Sequence, residues 1–142
     1  RLPDILPTLR GLEKSYIWLV ITESWCGDAA QSLPILNALS KQTENIKMLT
    51  VLRDENPELM DAFLTNGTRS IPKLIIIEEE SGTVAGTWGP RPAEAQDLVM
   101  AYKADPGDEA YVDFQARLQS WYTKDKGVST LAELKEVLDG LE

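Results

Sequence analysis

Cysteine occurs once, at Cys26, and histidine does not occur at all. Those two counts narrow the available chemistry. Without histidine, Ser-His-Asp and Cys-His catalysis, imidazole metal ligation and a near-neutral imidazole switch are excluded within this chain. With one cysteine, neither an intramolecular disulfide nor a multi-thiolate zinc or self-contained iron–sulfur site can form. What remains is a single thiol, whose attacking form is the thiolate. Without context a lone cysteine is more often a small buried hydrophobe than a nucleophile. Its neighbours, Trp25-Cys26-Gly27-Asp28-Ala29, favour chemistry. Gly27 lets the loop turn and puts no side chain in the way of sulfur. Trp25 is either a flat apolar wall or a core aromatic. Asp28 reads as helix capping or dipole complementation, and its charge opposes thiolate formation.

The elements that must position this thiol are legible on either side. Residues 16–22 are β-branched, aromatic and apolar at consecutive positions, the pattern of a strand covered on both faces. Residues 23–27 form a short loop, and a helical pattern follows over 28–43 with Pro34 inside it as a kink. Cys26 therefore falls where a buried strand feeds a helix. Helix N-terminal amides and the macrodipole lower a thiol pKa from its ordinary value of about 8.5. Residues 46–52 predict a second strand. Asn56-Pro57-Glu58 opens a helix that runs to about Leu64 and is ended by Asn66-Gly67. Residues 73–77 predict a third buried strand, 83–88 its hairpin partner and 92–103 a further helix. Strands separated by helices and then a hairpin imply an α/β fold, a mixed sheet with helices on both faces.

The tail predicts two amphipathic helices. Asp105-Pro106 is the start signal for the first, with Tyr111, Phe114, Leu118, Trp121 and Tyr122 on one face. Thr130-Leu-Ala-Glu133 reads as a capping box for the second, with Leu131, Leu134, Val137, Leu138 and Leu141 on its apolar face. The expected organisation is a sheet domain with an N-terminal helix over 1–104 and a helical extension over 105–142 packed on it. The 142 residues carry 14 Lys+Arg and 23 Asp+Glu, a net charge of −9. That balance argues against nucleic acid or an anionic membrane as partner. The longest apolar run, residues 16–21, is far short of the ~20 residues of a spanning helix. No leader-like stretch is visible, and the expected compartment is the cytoplasm.

Taken in order, these residues resemble the thioredoxin-like superfamily. Trp25-Cys26-Gly27-Asp28-Ala29 is similar to the active-site motif Trp-Cys-Gly-Pro-Cys at the same strand-to-helix junction. Ile71-Pro72, 46 residues after the cysteine, resembles the family's cis-proline. Gly89 and Pro34 match a glycine after the last hairpin strand and the kinking proline of the active-site helix. The resemblance spans residues 16–103. The wider strings Trp25-Cys-Gly-Asp-Ala-Ala-Gln31, Arg69-Ser-Ile-Pro72 and Thr87-Trp-Gly-Pro-Arg-Pro92 are similar to a bacterial subgroup of monothiol, thioredoxin-like proteins. It implies a thioredoxin-like fold with a C-terminal helical extension, Cys26 as catalytic nucleophile, and Trp25, Gly27, Asp28, Ala29, Ile71 and Pro72 around the substrate.

The departures bear on function. Ala29 stands where thioredoxins carry the resolving cysteine, so a mixed disulfide on Cys26 needs an external thiol for release. Val20 stands where they carry a buried aspartate. The leading expectation is a monothiol thiol–disulfide oxidoreductase that needs no metal or other cofactor. Its partner is a thiol-containing protein or a low-molecular-weight thiol such as glutathione or bacillithiol. The alternative is a redox-inactive binding module on the same fold, and a weaker third is an iron–sulfur cluster shared between two chains. If the Ile71–Pro72 bond is cis, the backbone beside it can pair with an extended thiol peptide. Arg69 reads as a solvated loop residue or a carboxylate anchor, Arg91 as a turn residue. Asp54, Glu55, Glu58 and Glu78-Glu-Glu80 fit turns, a helix start and a hairpin tip.

Overall fold

The structure, a computed structural model, describes residues 2–142. Its elements run α1 (Leu2–Arg10), β1 (Tyr16–Thr22), α2 (Gly27–Ser40), β2 (Ile46–Leu52), a 3-10 turn (Arg53–Glu55) and α3 (Pro57–Ala62). They continue with β3 (Lys73–Glu78), β4 (Val84–Trp88), α4 (Ala93–Ala104), α5 (Tyr111–Asp125) and α6 (Val128–Asp139). One mixed sheet has the order β2-β1-β3-β4. β1 and β2 are parallel, joined through α2, while β3 is antiparallel to both β1 and β4.

β1 and β3 are the two central strands, which explains their unbroken apolar runs: alternate residues serve different layers. Tyr16, Trp18 and Val20 join Leu74 and Ile76 in the larger core, with Ile5 and Leu9 of α1, Leu36 and Leu39 of α2, and Leu134 and Leu138 of α6. On the opposite face Ile21 and Ile75 pack with Met60 of α3 and Ile71. Cys26 sits at the edge of this smaller cluster. Each fully buried Leu or Ile contributes about 1.5–3 kcal/mol by leaving water, so the α1–α6 side of the sheet anchors the strand that delivers the thiol.

α6 is also held by polar contacts. Glu133 accepts from Trp88 Nε1 at 2.9 Å and from the Ala93 amide at 2.7 Å, tying α6 to the β4–α4 connection. Glu142 accepts from the Glu13 and Lys14 amides and from the Tyr16 hydroxyl. Burial, and then this carboxylate, push the Tyr16 phenol up to about 12.

Several boundaries differ from those the sequence predicts. α3 stops at Ala62, and Asn66-Gly67 is a separate turn with both residues at positive φ, closed by the Thr65–Thr68 bridge. α5 begins at Tyr111 rather than after Pro106. α6 begins at Val128, so Thr130 is an interior, buried residue and Glu133 holds the β4–α4 connection instead of closing a capping box.

Candidate functional site

Cys26 is the N-cap of α2. Its backbone is extended (φ −78°, ψ 117°), and its sulfur accepts from the Ala29 amide at 3.4 Å. The thiol in turn donates to the Ile71 carbonyl oxygen at 3.5 Å. These two contacts bring together the strand-to-helix junction and the residue before Pro72, across 45 positions of sequence. The Ile71–Pro72 peptide bond is cis. Behind it Gly89 (φ +115°) lies so close that a Cβ would stand 2.4 Å from the Pro72 carbonyl oxygen. Glycine is required there on both counts. The sequence match of Gly89 thus has a physical basis: it backs the loop that faces the thiol.

The sulfur is half-buried and opens into a cleft of about 370 Å³. Trp25, Gly27, Asp28 and Ile71 line it, whereas Ala29 and Pro72 are buried behind its wall. Pro72 itself is buried, and it is the carbonyl of its predecessor that meets the sulfur. At Gly27 the backbone needs no glycine, and a Cβ would meet nothing within 4 Å. Gly27 lines the cleft without adding a side chain to it. Trp25 is 62% exposed, so it is a cleft wall and not a core aromatic, and the Arg53 guanidinium lies 5.0 Å from its ring centroid.

Asp28 does not cap its helix. Its carboxylate accepts from Arg91 Nη2 at 2.9 Å and from the Tyr122 hydroxyl at 2.5 Å. The ion pair is largely buried, 12% and 13% exposed at the two side chains. Arg91 also donates to Gln96, while its Nε is buried without a hydrogen-bond partner among the described residues. Arg91 lies in a bend, as its position between Pro90 and Pro92 suggests, and its side chain in addition sends a cation back to the first turn of α2. Nothing local in the sequence announces a contact spanning 63 positions. Arg69, by contrast, is engaged by Asp61 in a two-pronged pair at 2.7 and 2.9 Å, so it is not a free carboxylate anchor.

The sequence sets the helix amides against the Asp28 charge at this thiol, and burial, the largest cause, decides the direction. Burial pushes the Cys26 thiol above its ordinary range, and the Asp28 charge adds to this. The Ala29 and Asp28 amides and the Arg91 guanidinium pull the other way without reversing it. The Ile71 carbonyl accepts a bond only from the protonated sulfur. Val20, where thioredoxins hold an aspartate, is fully buried. Tyr122 is raised as well, by burial and then by Asp28. Among the described residues no cluster of carboxylates and sulfur is arranged to hold a metal ion.

A mixed sheet that delivers a cysteine to the amino end of α2, opposite an Xaa–cis-Pro loop, defines a thioredoxin-like protein. The chain belongs to the thioredoxin family, whose model matches residues 3–105. No curated protein matches it in sequence. Among solved structures it is similar to a protein of unknown function from Pseudomonas aeruginosa, at 18% identity and a TM-score of 0.71, over 99% of this chain and 75% of that one. It is similar at 18% identity and a TM-score of 0.65 to an HIV epitope scaffold, over 98% and 74%. A mutant alkylhydroperoxide reductase from Enterococcus faecalis matches at 18% and 0.51, over 70% of this chain and 48% of that one. At these identities the likeness is one of fold. No helix among the described residues is long and apolar enough to cross a membrane.

Proposed function

We propose that the protein is a monothiol thiol–disulfide exchanger acting through Cys26. The observation that carries this reading is the position of the sulfur: half-buried at the N-cap of α2, within 3.5 Å of the Ile71 carbonyl, and open to a cleft. The Cys26 thiolate attacks one sulfur of a substrate disulfide. A Cys26–substrate disulfide forms, the substrate S–S bond breaks, and the second sulfur leaves as a thiolate. An external thiolate then attacks the substrate-side sulfur, forming a new disulfide and returning Cys26 as thiolate. Ala29 offers no second thiol, so this step is intermolecular. Because its thiol is raised, Cys26 is also a poorer leaving group than an ordinary cysteine, which slows release of the adduct.

The raised thiol favours a second reading, a binding module on the same fold in which Cys26 stays protonated. Turnover separates the two. With glutathione as reductant, hydroxyethyl disulfide is expected to be consumed in a Cys26-dependent way, whereas insulin disulfides are left essentially intact. Efficient insulin reduction with a thioredoxin reductase contradicts the monothiol mechanism. Failure to consume either substrate favours the binding module.

A further inference from the structure

Beside the thiol cleft lies a second hollow of about 480 Å³, between α4, α5 and the first turn of α2. The two are continuous: Gly27, Asp28, Arg91, Lys103, Tyr111 and Gln115 line both. The far wall is apolar, formed by Val99, Leu118 and the rings of Tyr102, Phe114 and Tyr122. Tyr102 and Phe114 are stacked, 4.3 Å between centroids at 11°. The hydroxyls of both tyrosines are committed elsewhere, Tyr102 to the Glu109 carbonyl and Tyr122 to Asp28, so what they present is ring surface. The thiol cleft is rich in cations, most of them neutralised: Arg53 by Asp54, Arg69 by Asp61 and Arg91 by Asp28. Lys103, exposed at the mouth common to both hollows, has no ion-pair partner among the described residues.

We propose that this hollow binds the non-sulfur part of a low-molecular-weight disulfide or thiol with a flat, aryl-type body and an acidic group. The proposal rests on the exchange reading of Cys26 and names its substrate class. The volume falls in the range of small-molecule sites, and the pattern of apolar walls with one orienting charge is theirs too. Tyr102 and Phe114 stack on each other and Arg117 lies over the Phe114 ring, so an aryl body meets this wall edge-to-face, a geometry aromatic pairs favour. Lys103 supplies for its anion the one positive charge without an ion-pair partner among the described residues of the lining. With the body so placed, the Cys26 thiolate attacks the near sulfur. The Cys26–aryl disulfide forms, the S–S bond of the ligand breaks, and the other half departs as thiolate.

The test separates binding from chemistry. S-methylated mercaptonitrobenzoic acid, which cannot exchange, is titrated calorimetrically into the Cys26→Ser protein. Saturable binding is expected. Lys103→Gln should weaken it about threefold to fivefold, the value of a solvent-exposed charge pair. The methyl ester of the probe should bind more weakly by a similar factor and ignore that substitution. Gln115→Trp, at an exposed position on the rim, should block binding while circular dichroism remains native. No saturable binding, or binding unaffected by Gln115→Trp, overturns the proposal. Equal affinity for acid and ester overturns the acidic part of the assignment. Hydroxyethyl disulfide, too small to need the hollow, reports on Cys26 separately. An adduct with it but no probe binding removes the pocket and leaves exchange standing. Probe binding with no adduct from any disulfide removes exchange, and with it the substrate role of the hollow.

Discussion

Around the Cys26 sulfur, burial and a neighbouring carboxylate oppose charge while two amides and a guanidinium favour it, and the opposition prevails. A raised thiol pKa means a smaller thiolate fraction at any pH below it. The iodoacetamide rate of the native protein should therefore climb with pH through a midpoint above that of free cysteine. Arg91→Gln removes a cation that favours the thiolate and leaves Asp28 unopposed, so labelling at fixed pH should slow by about twofold to fivefold. An unchanged profile would show that Arg91 does not act on the sulfur. Ala29 permits a complementary test. It is 2% exposed and one helical turn from Cys26, its amide 3.4 Å from the sulfur. Ala29→Cys should form an internal disulfide with Cys26 and release adducts without added thiol, as seen by intact mass and thiol titration. Persistence of the adduct in that variant would place the block to resolution elsewhere than in the missing second thiol.

Among the elements, the sheet is the most legible in the sequence. β1 and β2 have the predicted bounds for different reasons: β1 is a central strand covered on both faces, whereas β2 is a half-exposed edge strand whose ends are set by its residue-for-residue parallel pairing with β1. Helix starts are less legible. Pro106 satisfies the local rules for an opening, yet α5 starts at Tyr111, where Phe114 can reach Tyr102 of α4. Thr130 and Glu133 have capping-box spacing, yet Glu133 is taken by Trp88 and the Ala93 amide. In both cases a tertiary contact overrides a local preference. The candidate site divides the same way. Cys26, Trp25, Gly27 and Asp28 are legible by adjacency, and Ile71 through its resemblance to a known motif, whereas the roles of Arg91 and Tyr122 depend on contacts 63 and 94 positions away. The β4–α4 connection that carries Arg91 depends on Gly89. Gly89→Ala puts a methyl against the Pro72 carbonyl at a positive φ. It should destabilise the fold by at least about 2 kcal/mol, measured from the urea midpoint. A change under about 0.5 kcal/mol, within the usual scatter of a neutral substitution, would mean the connection has room that the geometry denies.

At the scale of the whole molecule, α1 and α6 close one face of the sheet, while α4 and α5 build the hollow beside the thiol. The residues beyond the family match thus include α5 and α6, which contribute Tyr122 to the site and Leu134 to the core. Leu134 is 1% exposed, and Leu134→Ala should cost about 2–5 kcal/mol in one cooperative transition. A separate early transition would show instead that α6 unfolds apart from the sheet. Whole-molecule charge works on encounters: at −9, the protein repels anionic partners at long range, and Lys103 at the cleft mouth offsets this locally.

The central claim is that the sulfur of the folded protein exchanges with a disulfide. Intact-mass measurement after incubation with hydroxyethyl disulfide, native and in denaturant, tests this most directly. The prediction is one mercaptoethanol adduct on Cys26 in the native protein, stable on dilution and removed by added glutathione. Modification that appears only after unfolding would contradict it.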